Sequence, residues 1–272
     1  METDVLNKLQ ETEFEILVEI DRFCRDNHIC YSLYGGTLLG AVRHKGFIPW
    51  DDDIDIVMTR DQYTRFCNEW KSKPIAGYYL ENFETDKHTQ NVHSKVRKDG
   101  TVFLSDIENE KIGHHGIWVD IFVMDKVPIE TDKEKRIIAC GRKMIMMAKA
   151  NGDLPGETLK KRIARKALKL IYPEKKRQSK LYELANFLRD NENKVKDEYE
   201  LCDMCTIEYL HVRFPKETGN KYVLLQFENQ EFLAFDNYDI VLKTMYGNYM
   251  ILPPEGERRC KHNPKKLVFQ QL

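Results

Sequence analysis

The stretch Trp50-Asp51-Asp52-Asp53-Ile54-Asp55-Ile56-Val57 decides how this chain is read. Four carboxylates fall within five residues and then give way to an apolar run. On an extended backbone Asp53 and Asp55 point to one face, and Ile54 and Ile56 to the other, where they can enter a core. Like charges on one strand face repel, and aspartate is depleted in strands. A cation between the two carboxylates removes the repulsion, and hard oxygen ligands suit Mg²⁺. A Gly-Gly pair lies just upstream in Leu33-Tyr34-Gly35-Gly36-Thr37. A short strand from Ile29 to Tyr34, the glycines, and a short helix from Thr37 to Val42 form an order that leaves backbone N–H groups free to hold an anion. The expectation is a metal site beside a phosphate cradle.

Blander readings compete with it. The acidic run can be a solvated loop entering a half-exposed strand, and the glycines an ordinary tight turn. A calcium loop needs Gly at its sixth position and Glu at its twelfth. Counted from Asp51, those places hold Ile56 and Gln62, so that reading fails. No Gly-x-x-x-x-Gly-Lys-Ser/Thr occurs, and Gly35, Gly36 and Gly40 do not make a dinucleotide fingerprint.

The 272 residues, 42% of them hydrophobic, suffice for a sizeable core. A net charge of −1 argues against nucleic acid as a partner. The seven cysteines show no framework spacing, the acidic start Met1-Glu2-Thr3-Asp4 lacks the basic region of a signal peptide, and no apolar run reaches the length of a membrane span. Reduced thiols and a cytoplasmic location are expected. Cys202-Asp203-Met204-Cys205 has metal spacing, with His211, Cys260 and His262 elsewhere, but a single Cys-x-x-Cys is a weak zinc signal.

One domain is expected, with a catalytic core at about 1–130, a helical region at about 131–215, and C-terminal strands and a helix at about 216–272. Periodicity predicts helices over 3–25, 60–71, 131–150, 157–171, 174–192 and about 237–250. Strands are predicted at Tyr78–Phe83, Asn91–Arg97, Gly116–Val123, 222–227 and 231–235. Asp120 stands alone in the apolar run Ile117 to Val123, and a buried acid must be paired, hydrogen-bonded or metal-bound. Helix 157–171 combines Lys160, Lys161, Arg162, Arg165, Lys166 and Lys169 with an apolar stripe. That pattern reads as a solvated face, or as contact with an anionic membrane surface or a polyanionic acceptor.

Two segments resemble a known family. Tyr34-Gly35-Gly36-Thr37-Leu38-Leu39-Gly40-Ala41-Val42-Arg43-His44 with Gly46-Phe47-Ile48-Pro49-Trp50-Asp51-Asp52-Asp53-Ile54-Asp55-Ile56 resembles the signature of the LicD phosphocholine and phosphoalditol transferases, relatives of fukutin-related protein. Tyr246-Gly247-Asn248-Tyr249-Met250-Ile251-Leu252-Pro253-Pro254 resembles the second signature, with Asn248 where the family has Asp. The resemblance implies an α/β (α+β) nucleotidyltransferase-like fold, a mixed sheet with flanking helices. It implies Mg²⁺, or Mn²⁺ in its place, on Asp53 and Asp55, with Asp51 in the same acidic site and Asp120 as third carboxylate. Gly35, Gly36 and Thr37 would form the phosphate turn, with His44 and Trp50 of the signature beside the site. A CDP-linked donor would pass phosphocholine, or a related phosphoalditol, to a sugar hydroxyl of a cell-surface glycan or of a lipopolysaccharide or teichoic acid precursor. Contact of the basic helix with an anionic surface would put the protein at the inner face of the membrane.

Phosphoryl transfer needs charge neutralisation and in-line positioning. Arg43, Lys95 and Arg97 are the candidates for added positive charge, Lys95 and Arg97 sharing a face of one strand. Asp120 or Asp51 would be the general base. Tyr31, Tyr34, Trp50, Trp118, Tyr246 and Tyr249 supply aromatics for a choline cage. The alternatives are transfer of a nucleoside monophosphate, with diphosphate leaving, and a non-catalytic nucleotide- or glycan-binding module.

Overall fold

A computed structural model describes residues 1–105, 110, 113–151, 158–196, 198–262 and 264–270. The chain opens with α1 (Thr3–Asp26), whose Leu9, Ile16, Leu17 and Ile20 recur at helical spacing and are fully buried. Then come β1 (Ser32–Leu33), α2 (Gly35–Arg43), β2 (Asp55–Thr59), α3 (Arg60–Ser72), β3 (Tyr78–Glu81), β4 (Ser94–Lys98) and β5 (Val102–Leu104). The long β6 (Trp118–Pro128) follows, then α4 (Thr131–Lys149), α5 (Leu159–Ile171) and α6 (Glu174–Lys194). The chain continues through β7 (Tyr199–Asp203), β8 (Tyr222–Phe227), β9 (Gln230–Phe235), α7 (Tyr238–Tyr246) and β10 (Lys266–Val268). Residue 157, the predicted start of the basic helix, lies outside the described residues.

β6 is the spine. β2 pairs with it in parallel on one side, while β4 and β7 pair antiparallel with its two halves on the other. β1 and β3 close the edges in the order β1-β2-β6-β4-β3, so the sheet is mixed and the fold is the expected α+β class. β6 reads as a near-continuous apolar run because both its faces are covered, α1 packing on it from one element and α3, α4 and α6 from others. A second core joins α4 to α6 through Ile137, Met144, Ile145, Leu181, Leu184 and Leu188.

Three elements depart from expectation. The glycines are not a turn ahead of a helix but the first turn of α2 itself. The second half of β6 runs on to Pro128, because β7 emerges from the stretch read as helical and pairs with it, from Met124↔Asp203 to Pro128↔Tyr199. β10 pairs with β5 across more than 160 residues of sequence, a non-local pairing that no local pattern announces.

Candidate active site

Strand register assembles the first part of the site. Asp55 on β2 is the direct partner of Asp120 on β6, Asp120 of Lys95 on β4, and Lys95 of Glu81 on β3. Directly paired residues share a face, so one row of the sheet carries acid, acid, base, acid. Lys95 Nζ lies 2.9 Å and His93 Nε2 3.0 Å from Asp120 Oδ1, and the Trp118 indole N–H donates to Oδ2 at 2.8 Å. Against the cost of burial, Lys95 and His93 hold Asp120 well below the usual carboxylate range.

Among the described residues no cation pairs with Asp55, and Lys261 offsets its burial only from a distance. Burial first, then the charges of Asp53, Asp120 and Asp51, push its carboxyl well up. Its backbone is gripped from both sides, the N–H donating to Thr37 Oγ1 at 2.8 Å and the C=O accepting from the Tyr34 N–H at 3.0 Å. These two bonds seat the first turn of α2 on the carboxylates. Gly35 has φ +55°, and a Cβ there would stand 2.8 Å from Asp55 Oδ2. A Cβ on Gly36 would collide with Asp51 Oδ2. Two glycines are therefore what let a helix start, with its unpaired N–H groups, approach two acids.

Asp53 lies just ahead of β2 rather than on it, so strand alternation does not align it with Asp55, although its charge helps raise Asp55. Asp51, Asp52 and Asp53 can each bring one oxygen within 4.8 Å of the others. Asp51 is pushed up to about 7 by burial and by Asp53, and Asp53 is also raised, chiefly by burial. Asp52 differs. It accepts from the backbone N–H groups of His262 at 2.8 Å and Lys261 at 3.2 Å, and faces His262 Nδ1 at 3.2 Å. Those bonds lower Asp52 despite burial, and Asp52 raises His262. The β10–β5 pairing brings this C-terminal segment over the site, where Lys261 Nζ lies 3.8 Å from Asp51 Oδ1.

α1 adds a residue that the sequence reading passed over. Glu13 is 4% exposed, its Oε2 has no hydrogen-bond partner among the described residues, and burial followed by Asp53, Asp52, Asp51 and Asp120 pushes it well up. Its signal was legible, since an acid stands in the apolar stripe between Leu9 and Ile16. Lys261, His262 and His93 carried no such signal.

Other candidates sit elsewhere. Arg97 is 2% exposed and committed to Glu81 and to the Gly116 carbonyl, so its expected role on phosphate gives way to a buried ion pair. Lys95 does reach the site, but through Asp120. Arg43 and His44 end α2, at the opposite end from the glycines, where Arg43 donates to the Tyr249 carbonyl at 2.9 Å and to His44 Nδ1. Burial and Arg258 lower Arg43, and Arg258 stacks over Trp50. The proposed aromatic cage is largely spent: Tyr31 and Tyr34 are core residues, and the Trp118 face carries Lys95 at 3.9 Å. Tyr246 and Tyr209 remain near the acids, which help raise both phenols after burial. The Cys202 and Cys205 thiols contact backbone carbonyls and are pushed up by burial, Cys202 to about 12, which opposes the thiolate a zinc site needs. Among the described residues they join no metal-binding group.

Asp51, Asp52 and Asp53 offer hard oxygens within 4.8 Å of one another, Asp55 is raised by the charges of Asp53 and Asp51, and Lys261 lies 3.8 Å from Asp51; this acidic set fits a hard divalent ion such as Mg²⁺. The mixed sheet, with carboxylates on and before adjacent strands against a Gly-Gly helix start, defines a nucleotidyltransferase-like α+β protein. The family model for "LicD/FKTN/FKRP, nucleotidyltransferase domain" matches residues 28–139. The lipopolysaccharide cholinephosphotransferase LicD of Haemophilus influenzae is 31% identical over 273 residues, spanning 93% of this chain and 96% of that protein. The chain belongs to the LicD family. An uncharacterized protein of Rickettsia prowazekii is 44% identical over 115 residues, 42% of this chain and 40% of its own length. Another, of Rickettsia typhi, is 44% identical over 69 residues, 25% of this chain and 22% of its own.

Proposed function

We propose that the chain is a transferase that moves phosphocholine from a CDP-linked donor to a sugar hydroxyl, with CMP leaving. The acidic group of Asp51, Asp52 and Asp53, with Asp55 and Asp51 packed against Gly35 and Gly36 at the start of α2, is the observation that carries this reading. The Haemophilus influenzae relative, a lipopolysaccharide cholinephosphotransferase, adds the head group. Asp53 and Asp55 would hold Mg²⁺, or Mn²⁺. When bound, the ion would neutralise diphosphate oxygens and stabilise the leaving CMP. The α2 amides at Gly35 and Gly36 would bind phosphate oxygens.

In the reaction the acceptor oxygen bonds to the choline-bearing phosphorus, the bond from that phosphorus to the bridging oxygen breaks, and the hydroxyl proton passes to a base. Of the two candidate bases, Asp51 suits better. The oxygens of Asp120 are already taken up by Lys95, His93 and the Trp118 indole N–H, whereas Asp51 lies beside Gly36 at the start of α2. Asp120 would instead fix Lys95 at the edge of the site.

The test is incubation of purified protein with CDP-choline, Mg²⁺ and a glycan acceptor, followed by phosphorus NMR. CMP formation with a new phosphodiester on the sugar supports the reading. Release of inorganic diphosphate, or preference for CDP-ribitol or CDP-glycerol, would replace it.

A further inference from the structure

α5 is unlike the other long helices in burying none of its residues. Leu159, Ile163 and Leu170 are 68%, 58% and 82% exposed, and Ile171 beside them is 64% exposed. Spacings of four and seven put the first three on one face, with Ile171 at its border. Leu168, on the opposite side, leans with Tyr172 on the α4–α6 core. The helix is thus anchored by one face while its broader apolar face points away from the protein. Single exposed apolar residues are ordinary, but a continuous stripe marks a binding surface.

Charge identifies the occupant. α5 holds six of the chain's basic residues and no acid, whereas the whole chain has net charge −1. Lys160, Arg162 and Lys166 flank the apolar stripe and are exposed. A protein partner for an apolar stripe bordered by cations would need matched acids around a fitted groove, while a second copy would bring cation against cation. An anionic lipid surface supplies negative headgroups on both flanks and hydrocarbon beneath, at any rotation about the membrane normal. Among the described residues no helix is long and apolar enough to cross a membrane, so α5 would lie in the interface and not span it.

We propose that α5 docks the protein on an anionic phospholipid bilayer, with Leu159, Ile163, Leu170 and Ile171 entering the acyl boundary and Lys160, Arg162 and Lys166 on lipid phosphates. This surface is independent of which group the acidic site transfers.

Flotation of the full chain with vesicles tests it. Wild type should bind phosphatidylcholine vesicles containing about a third phosphatidylglycerol and not pure phosphatidylcholine, and should weaken as salt rises from about 0.1 M to about 1 M. Lys160→Glu with Arg162→Glu and Lys166→Glu should weaken binding at least tenfold, and so should Ile163→Ser with Leu170→Ser. Circular dichroism and an unchanged unfolding midpoint would show that these variants fold. Leu170→Trp gives a second readout, an emission shift to shorter wavelength on anionic vesicles only. The proposal is overturned by equal binding to both vesicles, by no binding at all, by unchanged binding of the serine variant, or by an unmoved tryptophan emission. A concentration-dependent dimer that the serine variant abolishes, without vesicle binding, would assign the stripe to a second copy.

Discussion

Replacing Asp53 by Asn should make the metal-free protein more stable while removing its activity. Asp51, Asp52 and Asp53 approach within 4.8 Å, and two full charges at that distance repel by about 3.5 kcal/mol at an effective dielectric near 20. Asp51 and Asp53 are both raised, Asp51 to about 7, so near neutral pH only part of that repulsion is present. Asn is isosteric and can still donate to Asp51. The expected relief is about 1–2 kcal/mol, which for a chain of this size raises the unfolding midpoint by roughly 2–8 °C. The sign with pH follows from the direction of the shifts. An acid raised in the folded state costs nothing below its unfolded value near 4 and costs most above its folded value. Wild type should therefore gain stability as pH falls from 8 to 5, and the variant should gain less. Calorimetry with chelator and then with saturating Mg²⁺ gives the assay. At a hundred times Kd, Mg²⁺ should stabilise wild type by about 2.7 kcal/mol and the variant by far less. Turnover should drop below a tenth, a loss above about 1.4 kcal/mol of transition-state stabilisation. A less stable apo variant with an undiminished Mg²⁺ response would refute the reasoning.

Gly36→Ala should displace the Asp51 carboxylate on the order of 1 Å and cost about 10²-fold in kcat/KM, with the fold intact by circular dichroism; wild-type kinetics would show that the glycine is dispensable. Asp125→Ala strips Arg60 of a buried two-pronged partner at 2.8 and 2.7 Å, and urea unfolding should report a loss of about 3–5 kcal/mol, a value under ~1 counting against the pair. His262→Ala should lose more stability at pH 6 than at pH 9. His262 is raised by Asp52, so its contribution is complete below about 6.5 and fades as pH rises through the folded value, while Asp52 is lowered and contributes above about 4. Equal losses at both pH values would leave the pair without an electrostatic role.

The acidic run, the glycines and Asp120 were legible because their chemistry is local: four acids in a row and one acid in an apolar strand are anomalies in any fold. Strand alternation was expected to align Asp53 with Asp55, whereas it is the register of β2 with β6 that aligns Asp55 with Asp120. Register between strands some sixty residues apart is a tertiary fact. Arg97 was misjudged for the same reason, since its face of β4 meets Glu81 on a neighbouring strand. Lys261 and His262 enter only because β10 pairs with β5. Glu13 alone was visible in principle, as a charge on the buried side of α1.

The bonds from Asp52 to the backbone of Lys261 and His262 join positions 209 and 210 residues apart. On a ribosome adding about 5–20 residues per second, Asp52 waits roughly 10–40 s for those partners to be made. Until then the nascent chain carries a crowded acidic loop with neither its histidine nor its lysine. The first half of the chain can pair β2 with β6 early, but Asp52 gains its partners at Lys261 and His262 only when the C-terminal segment arrives. Chains released after β9 should therefore hold a sheet yet show Asp52 ionising as an ordinary exposed acid, which carbon NMR of labelled aspartates would read directly. If Asp52 titrates alike in the short and full-length chains, the C-terminal segment rests on the site without setting its charge.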